Sequence, residues 1–192
     1  MLGNYRYSIT ELSDKYRAIG KTDSARNWLR WGEEKIPFNF VDGNSAMNSM
    51  VLYAYSYAQV NDSTNALRLV ETGKQRLIED LKDSIDEYDV IQGRIVDLNE
   101  EIKQARMNAN MDKQQSLRNR VQQIISQRDN VARDINFAIS HLTILQRIYY
   151  MQDKSEMAAN LANEVNAITS NRIGLPATEE ENMQQFEQFG LN

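Results

Sequence analysis

Apolar residues recur at steps of three and four along most of this chain, the period of helices that each bury one face. The longest run is Leu117, Val121, Ile124, Val131, Ile135, Ala138, Leu142, Leu145 and Tyr149, with Arg128 completing the series. Leu81, Tyr88, Ile91, Ile95, Leu98, Ile102 and Ala105 keep the same rhythm, Ser84 being a weak position. Two heptad seams separated by the short polar stretch from Asn108 to Asp112 predict a long antiparallel helical hairpin over residues 79–152. The alternative is that both runs pair with other chains; the short linker and matched seams favour an intramolecular hairpin and a monomer. Asp112 and Gln115 have capping-box spacing for the return helix. Arg128 either fixes register against an acid across the hairpin or covers apolar surface while its guanidinium reaches water, the second being favoured. Gly93 either permits close packing or a bend, or is a tolerated surface glycine.

Before the hairpin the pattern changes to shorter helices in which large and small residues alternate. Ile9, Leu12, Ser13 and Tyr16 are followed by Gly20 at a turn, then Ala25, Leu29 and Gly32, and finally Pro37. Small residues let paired helices approach, Gly20 suits the left-handed end of a helix, Pro37 stops the second helix, and Thr22 or Asp23 is expected to cap it. From about Asn44 the arrangement recurs as Met50, Tyr53, Ala54, Tyr57, Asn61, Ala66, Val70 and Gly73, but Ile78 stands where Pro would close the unit, so this helix is expected to run on. A third, degenerate copy keeps the spacing with Leu142, Leu145, Tyr149, Ala158, Ala162 and Val165; Gln146 occupies a small-residue position, and Asp153 with Glu156 has capping-box spacing.

These positions resemble the tetratricopeptide repeat, a helix pair that stacks into binding scaffolds. The expected fold is therefore all-α, with tetratricopeptide-like repeats and an inserted long antiparallel hairpin. Its divisions are two helix pairs over 1–78, the hairpin over 79–152, a closing helix over 153–172 and an acidic tail over 173–192. The resemblance directs the inner face of each first helix toward a groove, placing Tyr7, Asp14, Arg17, Asn48, Tyr55 and Gln59 as candidate partner-binding residues. Their aromatic and polar mixture suits peptide recognition. Thr10 and Asp14 stand where parts of a carboxylate clamp would be, which speaks against a chaperone-tail adaptor.

The segment NYRYSITELSDKYRAIGKTDSARNWLRWGEEKIPFNF, together with DINFAISHLTILQRIYYMQDKSEMAANLANEV, is also similar to the soluble C-terminal tail of a bacterial family of multi-pass membrane proteins of unknown function, themselves similar to protein O-mannosyltransferases. That resemblance implies a non-catalytic scaffold on the extracytoplasmic, periplasmic side that recruits a partner or substrate, with the catalytic part elsewhere. The alternative is a free-standing cytosolic adaptor that binds through the hairpin.

The tail IGLPATEEENMQQFEQFGLN places Met183, Phe186 and Phe189 on one face of a possible short helix, which either docks on the body or a neighbour or stays disordered. Composition narrows the chemistry. The 192 residues suffice for a substantial core, Pro and Gly are scarce, and the net charge of -5 comes from intermixed acids and bases, offering nucleic acid or anionic lipid no obvious basic surface. The absence of Cys excludes disulfides and thiolate sites but leaves the compartment open. There is no apolar run of membrane-spanning length and no basic leader.

His141 is the single histidine, so a common zinc site lacks ligands and a structural role is expected. Neighbouring acids such as Glu33 with Glu34 and Glu100 with Glu101 diverge by about 100° on a helix and are read as solvated. Trp28 and Trp31 mark either a core edge or an exposed patch, core packing being favoured, while Tyr53 and Tyr57 are expected in the core. Phosphate-loop, dinucleotide and calcium motifs are absent. The expected protein therefore binds protein or peptide, has no catalytic residue, metal or cofactor, and does not itself insert into a membrane.

Overall fold

The computed structural model describes residues 2–38 and 44–187. Over these residues the chain is all-α, with seven helices and no strand: α1 (Leu2–Ala18), α2 (Thr22–Lys35), α3 (Asn44–Gln59), α4 (Ser63–Met107), α5 (Met111–Met151), α6 (Ser155–Ile168) and α7 (Glu179–Glu187). No described helix is long and apolar enough to cross a membrane. The chain divides into two compact units, Met1–Ile78 with Ser140–Asn192, and Glu79–Ile139. Helix α4 runs through Ile78 without a stop, as the missing Pro implies. The final turns of α5, assigned above to the hairpin, belong to the first unit.

In the first unit, small residues set how closely helices pack. Ser13 and Ala25 are fully buried, and the Ser13 hydroxyl donates to the Ala25 carbonyl at 3.2 Å, joining α1 to α2 at one point. A Cβ on Gly32 would lie 2.7 Å from Ile9 Cδ1 and would also collide with the Tyr53 hydroxyl, so this contact requires a glycine. Tyr53 and Tyr57 are in the core as expected, and Tyr53 meets Phe38 edge-on at 5.4 Å. Leu142, Leu145, Tyr149, Ala158, Ala162 and Val165 are likewise buried.

One local device ends five helices. Gly20, Asn61, Ala109, Asp153 and Ser170 all take positive φ. In each case the next residue's N–H reaches back five positions: Lys21 to Tyr16, Asp62 to Tyr57, Asn110 to Ala105, Lys154 to Tyr149 and Asn171 to Asn166, at 2.9–3.0 Å. This is the Schellman closure, which satisfies carbonyls that the helix end leaves unpaired. It also corrects the capping expectations. Asp153 is the left-handed turn residue, while Lys154 and Lys21 occupy the N-cap positions of α6 and α2 without a side-chain cap bond. At the start of α5 the cap is Asn110, whose Oδ1 accepts from the Lys113 N–H at 3.0 Å, rather than an Asp112–Gln115 box.

The second unit consists of α4 from Glu79 to its end, the turn that follows, and α5 from its start to Ile139. Leu98 and Ala105 from α4 form a buried cluster with Leu117 and Val121 from α5, flanked by Ile102, Ile124 and Ile125. Gly93 has no atom within 4 Å of where a Cβ would stand, so it is a surface glycine. Arg128 bonds its own neighbour Asp129 through Nε and Nη2 at 3.0 and 2.8 Å, with its guanidinium toward solvent as favoured above.

Candidate functional site

The six residues expected to line one groove are found as three pairs. Tyr7 from α1 and Asn48 from α3 are exposed and line a cleft of about 200 Å³ with Arg6, Thr10, Ser45 and Tyr53 among its other walls. Asp14 and Arg17, one turn apart on α1, form a half-exposed ion pair at 3.7 Å. Burial pushes the Asp14 carboxyl up, against the opposing pull of Arg17. Tyr55 and Gln59 share a hydrogen bond one turn apart on α3, and burial raises the Tyr55 phenol above its ordinary value.

Tyr55 does not face an open groove. Its ring packs on Phe186 of α7 with centroids 5.3 Å apart, and Phe186 is buried. The tail helix therefore docks on the body through Phe186, one of the three residues of the expected face, but the other inward residue is a polar one. Met183 is exposed, Phe189 lies outside the described residues, and Asn182 is the residue turned inward, fully buried. Its Nδ2 donates to the Thr143 carbonyl at 3.1 Å and to Gln146 Oε1 at 2.9 Å. Gln146 in turn donates to the Pro176 carbonyl at 2.8 Å and to the Ala158 carbonyl at 3.4 Å. The glutamine that broke the small-residue pattern is thus a buried polar bracket holding α6 and the tail against α5. Arg147 adds an ion pair to Glu179 at 3.1 Å.

The cleft contains a residue the sequence did not single out. Arg6 is 1% exposed. Its Nε donates to the Ile36 carbonyl at 3.1 Å, its Nη2 donates to the Pro37 carbonyl, and its guanidinium stacks over the Phe38 ring at 4.8 Å. Nη1 is buried without a partner, as is the Tyr53 hydroxyl. Burial lowers the Arg6 pKa, Tyr53 partly opposing it, while desolvation drives the Tyr53 phenol well above its ordinary value. Arginine nonetheless keeps its charge. A partly unpaired cation therefore sits among hydroxyl and amide groups beside the first turn of α3.

Other polar residues also join helices. Glu33 accepts from Tyr57 at 3.1 Å and pairs with Arg68 at 2.5 Å, which corrects its reading as a solvated acid. Asp62 precedes α4, accepts from Asn65 N–H at 3.4 Å and pairs with Arg30 at 2.7 Å. Glu71 accepts from Tyr149 and pairs with Lys74 at 2.6 Å; burial alone would raise its carboxyl, but the bonds from Lys74 and Tyr149 outweigh it and hold it low. His141 is buried with Nε2 3.2 Å from Asn48 Oδ1, a structural setting. No group of three or more potential metal-ligating residues is found among the described residues.

Of Trp28 and Trp31, the first is half-buried and the second departs from the favoured core packing. They meet edge-on at 5.5 Å, and Trp31 is 47% exposed beside a shallow recess lined also by Tyr16, Ser24 and Asn27. No family model, curated protein or solved structure matches the chain.

Proposed function

We propose that this chain is a non-catalytic scaffold with tetratricopeptide-like helix pairs, and that it captures a protein or peptide at the Tyr7–Asn48 cleft. The observation carrying this reading is the cleft's chemistry. Arg6 and Tyr53 contribute buried polar atoms without partners, and Tyr7, Thr10, Ser45 and Asn48 contribute aromatic surface, hydroxyls and an amide. A peptide carboxylate or backbone carbonyl would supply the acceptors these groups lack. Burial of Ser13, Ala25, Gly32, Ala54 and Ala66 at the small-residue positions supports the repeat reading. The paired terminal segments support placing the scaffold as the soluble, extracytoplasmic tail of a bacterial membrane protein similar to protein O-mannosyltransferases, where it recruits a partner or substrate.

Selection of a random peptide display library on the chain tests the binding reading. Enriched peptides are expected to lose at least about tenfold in affinity for a Tyr7→Ala/Asn48→Ala variant, the scale of one lost anchor. Equal affinity for both proteins would remove the cleft from consideration. One observation favours the alternative adaptor that binds through the hairpin: Met107 and Met111 flank its turn at 70% and 72% exposure, and methionine is an adaptable contact residue. Peptides that lose binding on Met107→Ser/Met111→Ser substitution, but not on cleft substitution, would select that reading.

A further inference from the structure

We propose that the face formed by Tyr55, Thr143, Gln146 and Arg147 is a helix-recognition groove, held in cis by α7, that takes from a partner protein a short helix with an acidic first turn and Asn four residues before an aromatic. The proposal rests on the reading of unit 1 as an interaction scaffold. It concerns a face other than the Tyr7–Asn48 cleft, so failure of either test leaves the other standing.

The seated helix defines the chemistry of the ligand. Asn182 and Phe186 lie one turn apart on the same face of α7. The amide is read at two acceptors, the Thr143 carbonyl and Gln146 Oε1, while the ring packs on Tyr55. Gln146 is fully buried and oriented by its own bonds to the Ala158 and Pro176 carbonyls, so its Oε1 presents a fixed acceptor. Glu179, Glu180 and Glu181 fill the first turn, where Arg147 meets Glu179 and the helix dipole favours negative charge.

Two features make α7 exchangeable. It has nine residues, below the roughly 12–15 at which an isolated helix becomes even marginally stable, so its order depends on docking. The chain is also anchored immediately before α7, where the Leu175 N–H donates to Asn166 Oδ1 at 3.2 Å and Gln146 holds Pro176. Release therefore needs rearrangement only around Ala177 and Thr178 and leaves the preceding anchor in place.

The test uses the full chain, wild type and Asn182→Ala/Phe186→Ala, with a labelled synthetic peptide having the sequence of residues 177–192. A tethered helix competes at an effective concentration near the millimolar range. The peptide is expected to bind the double variant at least about tenfold more tightly than wild type and to raise its melting temperature, while a peptide carrying the same two substitutions binds neither. Equal binding to both proteins, or no binding to a variant that retains its helical signal, overturns the proposal. Sedimentation of the wild type is expected to show a monomer; a dimer abolished by the double substitution would assign the groove to a second copy and overturn the partner-helix proposal. If the variant does not fold, hydrogen exchange on wild type decides. The amides of α7 are expected to exchange by an opening that leaves α6 protected, and protection of α7 equal to that of α6 overturns exchangeability.

Discussion

The two compact units use the same helical period but hold their helices by different means. In unit 2 the named cohesion is a seam of aliphatic side chains, and its described ion pairs, Lys103 with Glu100 and Arg128 with Asp129, join near neighbours on one helix. In unit 1 small residues bring helices together and buried polar groups tie segments far apart in sequence: Arg6 to Pro37, Arg30 to Asp62, Tyr149 to Glu71 and Asn182 to Thr143. A seam can slide or loosen gradually. A polar bracket is either satisfied or left unpaired, so it specifies one arrangement and makes its loss expensive. The Tyr7–Asn48 cleft and the seat of α7 both lie in the unit built that way.

The strongest challenge to this contrast is a matched pair of core truncations. Leu29→Ala removes a fully buried side chain from unit 1 and is expected to cost about 2–5 kcal/mol, measured by denaturant unfolding. Leu98→Ala in the thinner seam of unit 2 should fall toward or below the lower end of that range, because two helices can close on the gap more readily. Hydrogen exchange should then accelerate within residues 79–139 while unit 1 remains protected. Equal acceleration in both units would show that they unfold as one body and would erase the distinction.

A glycine-to-alanine substitution should have opposite signs in the two units. At Gly32 the new Cβ collides with Ile9 and the Tyr53 hydroxyl, and the overpacking cost of about 1–3 kcal/mol exceeds the gain in helix propensity. At Gly93 the added methyl enters open space, leaving a propensity gain of up to about 1 kcal/mol. Thermal melts of both variants check the signs. Stabilisation at Gly32 would mean that α2 does not depend on the close approach described for it.

The same contrast explains what could be read from the sequence. Periodicity exposed the two long helices, the turns at Gly20 and Asn61 and the buried small residues, because each is encoded locally. It placed Trp31 inside and left Phe186 undecided, because hydrophobicity does not say which apolar face finds a partner. Arg6 and Glu33 were missed for a different reason: a charged residue in a helix ordinarily faces water, and only the meeting of distant segments supplies its bonds. Gln146 did leave a trace, as a large polar residue in a small-residue position. The sequence exposed the irregularity, but not its partner Asn182, 36 positions away. The candidate groove was legible as a set of helix faces, whereas its division between an open cleft and the seat of α7 depends on long-range packing.

Asp62 gives the most selective test of the polar brackets. Its side chain is 6% exposed; burial alone would raise its pKa, but hydrogen bonds from Asn65 and Arg30 outweigh that cost and hold it below the ordinary 3.8. A carboxylate with a depressed folded-state pKa contributes stability that is present above its unfolded value and lost as pH falls through the folded one. Asp62→Asn keeps a cap-forming side chain but removes the charge facing Arg30, whose own exposure limits the ion pair's strength. The variant is therefore expected to be less stable than wild type by about 1 kcal/mol at neutral pH, with the gap closing as pH falls below 3.8. Paired melts across that window measure it. A gap independent of pH would assign the loss to packing and cap geometry, whereas closure at low pH would identify the charge as the link between α2 and the start of α4.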